Sequence, residues 1–138
     1  MIFNIALADR ISAVGWGVLL DGEVMIMDNS RSIFKLHGID ETIRARFKKG
    51  EIHPTAPLWG KGQLQSQKQV QTLEEQLQND WMFWCQALEE KGLKQERRAI
   101  RLIPHDLRFD FRGSNLYLSF SLPAGAYATA VLREVVQI

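Results

Sequence analysis

Two apolar periods follow one another along this chain, and together they confine it to a mixed α+β fold. Between Lys68 and Glu90, the residues Val70, Leu73, Leu77, Trp81, Trp84 and Leu88 recur at steps of three and four. That is the spacing of one buried helical face. Further on, Leu107, Phe109 and Phe111 alternate with Arg108, Asp110 and Arg112, and Leu116, Leu118, Phe120 and Leu122 alternate again. A period of two marks strands with one face buried and one charged. Gly113-Ser114-Asn115 lies between the two runs, so the spacing predicts two antiparallel strands joined by a turn.

The rest of the chain supplies shorter signals. MIFNIALADR reads as the body of a helix, with Ile2, Phe3, Ile5, Ala6 and Arg10 at helical spacing and no capping residue ahead of it. Such a helix either frays at its terminus or continues from residues outside this sequence. GVLLDGEVMIM carries two apolar runs around Asp21-Gly22, a hairpin signal, and SRSIFKL adds a further short strand. Asp40 is placed to cap a helix ETIRARFKK that stops at Gly50. HPTAPLWGKGQ follows, with two prolines and two glycines in eleven residues, and is expected to be a loop with Trp59 and Lys61 at its tip. The last strand runs into Pro123, Ala124 and Gly125 and then a helix AYATAVLREVV, whose inner face would hold Ala128, Val131 or Leu132, and Val135. The small residues at this junction allow close approach to a sheet, or exposed amides that face an anion.

Charge is unevenly distributed. The whole chain has a formal net charge of +1, which by itself makes no case for nucleic acid. Residues 70–90, however, hold five acids and no base, whereas Lys91–Arg112 holds seven bases against three acids. A domain boundary is expected near Gly92, where the composition changes. Within the basic segment, Arg97, Arg98 and Arg101 have the spacing to place at least two guanidiniums on one face. Arginine suits bidentate phosphate contact; the competing reading is a solvated face paired with the acidic helix. Lys61 beside Trp59 suggests stacking combined with phosphate contact, against an ordinary loop lysine.

Other chemistry is not legible. Cys85 is the only cysteine, which excludes an internal disulfide and fits a reducing compartment. It reads as a small core residue, because no basic or histidine neighbour would activate it. His37, His53 and His105 lie far apart without ligand spacing, so each is expected at a turn or surface and not on a metal. GxGxxG and GK[ST] are absent. No apolar run approaches the roughly 20 residues of a membrane helix.

Six segments in order, IFNIALADR, GVLLDGEVMIMDNSRSIF, DETIRARF, IHPTAPLWGKGQLQSQ, LEEKGLKQERRAIRLIPHDLRFDF and LYLSFSLPAGAYATAVLREVV, resemble the tRNA pseudouridine synthase D family. The PLWGKG loop and LPAGAYATAVLRE are the most specific of them. The resemblance implies an α+β chain in which residues 1–92 are the latter part of the family's inserted domain. Residues 93–138 would then be the last segment of the catalytic fold, its final hairpin and helix. It implies isomerisation of uridine to pseudouridine in tRNA, at uridine 13, by a monomeric cytoplasmic enzyme that needs no cofactor or metal.

The family's nucleophilic aspartate lies in a GxKDKxAxT motif, and neither that motif nor the family's QRFG segment occurs here. Asp9, Asp21, Asp28, Asp40, Asp80, Asp106 and Asp110 all fall in or between other matched segments, so no catalytic residue is carried over. Pro123, Gly125, Ala128, Thr129, Leu132, Arg133 and Glu134 match the closing motif that supports the pocket wall. Arg97, Arg98 and Arg101 match the basic approach segment, and Trp59, Gly60 and Gly62 match the inserted-domain loop. The chain would supply RNA grip and pocket wall, with the missing N-terminal part of the same enzyme as its partner, and would not catalyse alone. Two alternatives stand beside this: a stand-alone RNA-binding module without catalysis, and a structural α+β domain with an accidental charge patch.

Overall fold

A computed structural model describes residues 1–28 and 30–136. The chain divides into two compact units, Met1–Arg101 and Leu102–Ile138. The first contains helix α1 (Ile2–Ala13), strands β1 (Val24–Met27) and β2 (Ile33–Lys35), and helix α2 (Glu41–Lys49). Strand β3 (Ile52–Leu58), helices α3 (Lys68–Asp80) and α4 (Met82–Glu90) and strand β4 (Glu96–Ala99) complete it. Its strands form one antiparallel sheet in the order β2-β1-β3-β4. Because β4 pairs along β3, the first unit continues past the change of charge at Gly92 to Arg101.

The locally coded elements follow their signals. The Asp40 carboxylate accepts from the Ile43 amide at 2.8 Å, and Gly50 closes α2 in the left-handed region at φ 77°, the two ends that capping chemistry favours. Helix α1 has no side-chain cap and buries Ile2, Phe3 and Arg10. Ile2 joins Trp59, Leu77 and Cys85 in one apolar cluster, and Phe3 packs with Ala56 and Ile100 in a second. A third cluster gathers Met25, Leu36 and Ile52 under α2. Cys85 is buried in the first, as a core residue would be.

Within this unit three expectations of secondary structure are corrected. The segment HPTAPLWGKGQ is not wholly a loop: its first part is β3, an inner strand of the sheet despite Pro54 and Pro57. Proline lacks an N–H and is normally confined to sheet edges; here side chains and carbonyls take over the bonding. The Thr55 hydroxyl donates to the Val24 carbonyl at 2.6 Å, and the Arg97 guanidinium donates to the Thr55 carbonyl at 2.9 Å. The Pro54 carbonyl still accepts from the Ile100 amide.

The hairpin expected around Asp21-Gly22 is absent. β1 pairs instead with β2, inside SRSIFKL. Gly22, at φ +90°, lies so close to the Gln67 main chain that an added Cβ would collide with the Gln67 carbonyl. The residues before it are held by Arg10, which donates to the Val18 carbonyl and the buried Glu23 carboxylate.

The long helix is two helices interrupted at Trp81, whose φ of −119° and ψ of 28° are not helical. Trp81 and Leu88 are half-buried. The buried positions are Val70, Glu74, Leu77 and Cys85, while Leu73 and Trp84 are exposed.

The second unit contains strands β5 (His105–Arg112) and β6 (Asn115–Ser121) and helix α5 (Ala128–Val135). The strands pair antiparallel with Phe109 opposite Leu118 and Phe111 opposite Leu116, and a bulge falls between His105 and Arg108. Asp106 takes up the bulge at φ 53°. The expectation of a buried face on this hairpin is not met. Phe109 is 71% and Phe111 66% exposed, because two strands and one helix leave nothing within the unit to cover them. On α5, Val131 is buried, but Ala128 and Val135 are exposed.

Candidate nucleic-acid interface

The loop after β3 is held by main-chain contacts with the segment that leads into β4. The Lys61 amide donates to the Leu93 carbonyl at 2.6 Å, and the Lys61 carbonyl accepts from the Gln95 amide at 3.1 Å. These two bonds form a parallel bridge between Lys61 and Lys94. Gly60 makes it possible, since a Cβ there would strike the Lys94 main chain and the Leu93 oxygen. The Gln95 side chain accepts from the Gly60 amide at 2.9 Å. Lys61 and Lys94 are both exposed.

Trp59 does not stand at the loop tip as expected. It is buried in the cluster with Ile2, Leu77 and Cys85, and its indole N–H donates to Glu89 at 2.9 Å. An aromatic ring placed there anchors the loop and offers no free face for stacking on a base.

The three arginines separate. Arg97 is corrected from a phosphate contact to an internal brace, with its side chain 1% exposed against 6% for its partner Glu74. Its Nε donates to the Thr55 hydroxyl, Nη1 to Glu74, and Nη2 to both Glu74 and the Thr55 carbonyl, all between 2.7 and 2.9 Å. Glu74 also accepts from the Ser66 hydroxyl at 2.6 Å. A guanidinium this engaged and this dry does not reach an RNA backbone.

Adjacent strand residues face opposite sides, and Arg98 is accordingly exposed, with its guanidinium 5.4 Å from the Phe3 ring centroid. Arg101 is half-buried. It donates to the Phe47 and Ile52 carbonyls and to His53 Nδ1, and lies 4.0 Å over the Phe47 ring. Desolvation lowers its pKa and the nearby Asp28 carboxylate opposes that shift.

His53 is thus buried in a strand and not at a turn or surface. Arginine is only a donor, so Nδ1 accepts, and the ring proton sits on Nε2, which donates to Asp28 at 2.6 Å. His37 is exposed and His105 begins β5. Among the described residues no group of three His, Cys, Asp or Glu side chains gathers. Sequence patterning gave no sign of the Asp28–His53–Arg101 chain, because its members are joined only by the folding of β3 against its neighbours.

In the second unit the closing motif forms a tight turn and a helix. The Ala126 amide donates to the Pro123 carbonyl at 3.1 Å, with Gly125 at φ +87°. A third turn residue with positive φ defines a type II turn and favours glycine. Thr129 and Arg133 follow at helical i, i+4 spacing on α5, both exposed. Pro123, Gly125, Thr129 and Arg133 therefore belong to one continuous turn and helix.

The sequence model described as tRNA pseudouridine synthase D (TruD) matches residues 1–135. A tRNA pseudouridine synthase D of Nitrosococcus oceani is 44% identical over 138 residues, covering 99% of this chain and 38% of that protein. The corresponding protein of Xanthomonas axonopodis pv. citri is 42% identical, covering 97% and 37%. A crystal structure from Methanosarcina mazei, whose description carries the same family name, superposes with a TM-score of 0.69 at 26% identity and covers 99% of this chain and 36% of that one. The chain thus spans well under half the length of the relatives it matches. No helix of the described residues is long and apolar enough to cross a membrane. With its mixed α/β architecture and a family match running from α1 through the turn and helix of the closing motif, the chain belongs to the tRNA pseudouridine synthase D family.

Proposed function

We propose that these residues serve a cytoplasmic, monomeric enzyme that isomerises uridine 13 of tRNA to pseudouridine, and that their share of the work is RNA grip and pocket wall. The observation that carries this reading is the family match across residues 1–135. On this proposal residues 1–92 are the latter part of the inserted domain and residues 93–138 the last segment of the catalytic fold. The reaction needs a nucleophilic aspartate, and no GxKDKxAxT motif occurs in these residues. The remainder of such an enzyme supplies it. A target base must leave its stack to react, at a cost of a few kcal/mol, and backbone contacts elsewhere on the RNA offset that cost.

Lys61 and Arg98, both exposed, are the residues of the first unit assigned to the RNA backbone; Arg101 is held at the start of β3 by the Phe47 and Ile52 carbonyls. Trp59 and Arg97 act beneath the surface by fixing the loop and β4. Pro123, Gly125, Thr129 and Arg133 form the wall beside the target nucleotide. The reaction uses neither metal nor organic cofactor.

The test is to incubate the purified chain with unmodified tRNA and score both binding and pseudouridine formation. Binding without isomerisation is expected. Pseudouridine formed by this chain alone would refute the assignment of the nucleophile elsewhere, and no tRNA binding would refute the grip. A second reading, a stand-alone RNA-binding module, is favoured by the first unit's own sheet and three apolar clusters. It requires that adding the N-terminal portion of a relative restores no activity.

A further inference from the structure

The Lys61–Lys94 bridge places two like charges side by side. Bridge partners lie about 4.8 Å apart and send their side chains to one face, and like charges directly opposite each other in a ladder are destabilising. The fold nevertheless enforces the juxtaposition, through the two main-chain bonds of Lys61, the glycine at position 60 and the side chain of Gln95. Folding uses the main chain of Lys61 and leaves the ammonium groups unspent. Among the described residues neither lysine is ion-paired, although both are exposed and Lys91 lies a short way along the chain. Of the acids nearby, Glu89 is engaged by the Trp59 indole, and Glu96, two residues beyond Lys94, is exposed. An anion between the two ammoniums would relieve the repulsion that this glycine-dependent bridge favours.

We propose that Lys61 and Lys94 form a two-lysine seat for a single RNA backbone phosphate. This rests on the reading of the protein as a tRNA-binding one. Lysine is a compact point charge on a flexible stem, so two of them converge on one phosphate without fixing base identity, and the contact is independent of sequence. The main-chain bridge orders the seat before binding, which reduces the ordering cost. Lys94 thereby becomes a binding residue, and the position of Lys61 is explained by its bridge to the segment that leads into β4 instead of by stacking beside Trp59.

The test measures tRNA binding by the full chain between about 0.05 and 0.3 M KCl. Lys61→Gln, Lys94→Gln, the double variant and a Lys61→Arg/Lys94→Arg control are compared, with circular dichroism to confirm folding. Loss of one phosphate contact reduces the slope of log K against log salt by about one. Taken from 1 M down to 0.1 M, that is about a tenfold loss of affinity. The double glutamine variant is expected to show this loss, each single variant less than half of it on the log scale, and the arginine pair none.

A double variant that folds and binds with wild-type affinity and slope overturns the seat while leaving tRNA binding intact. Single losses that add to a slope change of two also overturn it, since they mean two separate phosphates. A wild-type chain that binds no tRNA refutes the underlying reading and the seat with it. Amine acylation of the wild-type chain gives an independent measure: tRNA is expected to protect both lysines together, and undiminished labelling of either refutes the proposal.

Discussion

Replacing Glu74 by alanine is expected to destabilise the first unit more than any surface substitution in the chain. Glu74 lies inside α3 and takes two bonds from Arg97 and one from Ser66. With the Arg97 side chain 1% exposed, truncation leaves a guanidinium in a dry site with only Thr55 as acceptor. Removing one partner of a buried ion pair costs about 3–5 kcal/mol, and stranding the Ser66 hydroxyl adds about 1 kcal/mol or more. Total stabilities of small domains are about 5–15 kcal/mol, so the variant stands at the margin of folding.

All four tryptophans, Trp16, Trp59, Trp81 and Trp84, lie within Met1–Arg101, and their fluorescence in urea therefore reports this unit. With a slope of about 1.5 kcal/mol/M, a loss of about 4 kcal/mol moves the midpoint down by roughly 2–3 M. An Arg97→Met/Glu74→Leu pair, which removes both charges, is expected to be less damaging than Glu74→Ala alone. A Glu74→Ala loss below about 1 kcal/mol, or a double variant worse than the single, would refute the claim that the pair is dry and mutually dependent.

Gly60→Ala forces a Cβ into the Lys94 main chain and is expected to cost about 1–3 kcal/mol, seen as a lower urea midpoint; an unchanged midpoint contradicts the close approach. Burial raises the pKa of Glu23 above the usual glutamate range, against the opposing influence of Arg10. A raised folded-state pKa gives stability that is complete below the unfolded value and is lost as pH rises through the folded one. The advantage of wild type over Glu23→Gln should therefore shrink between acidic and neutral pH in paired denaturant titrations, and an advantage that grows over that range rejects the assignment. Burial, with Glu89 nearby, also pushes the Cys85 thiol up, so a thiol reagent at neutral pH should modify it only on the timescale of unfolding. Rapid stoichiometric labelling of the folded chain would show that it is not in the core.

Helix caps and strand alternation are legible locally, whereas the Asp21-Gly22 turn signal is overridden by the pairing of β1 with β2. The Asp40 cap, the Gly50 stop, the uncapped first helix and the alternation from Leu107 to Phe120 depend on neighbours within a few residues, and each reappears at its place in the structure. The candidate interface was less legible. Lys61 and Arg98 came from charge and spacing, but the burial of Arg97 and Trp59 depends on Glu74 and Glu89, partners 23 and 30 residues away. Spacing of apolar residues carries no record of such partners. Trp81 interrupts the helix without a proline or glycine to announce it, and a periodic apolar pattern does not tell which of its neighbouring positions, Leu73 or Glu74, Trp84 or Cys85, is the buried one.

By itself, then, the sequence determined the mixed α+β class, the positions of the capped and alternating elements and, through its motifs, the family. The tertiary structure decided that two prolines sit in an inner strand, where the Thr55 hydroxyl satisfies the Val24 carbonyl, Arg97 the Thr55 carbonyl and the Ile100 amide the Pro54 carbonyl. It also decided which basic residues face water. Those questions are settled by bonds across the sheet, and hydrophobic period and local charge are short-range signals that stop at the end of each element.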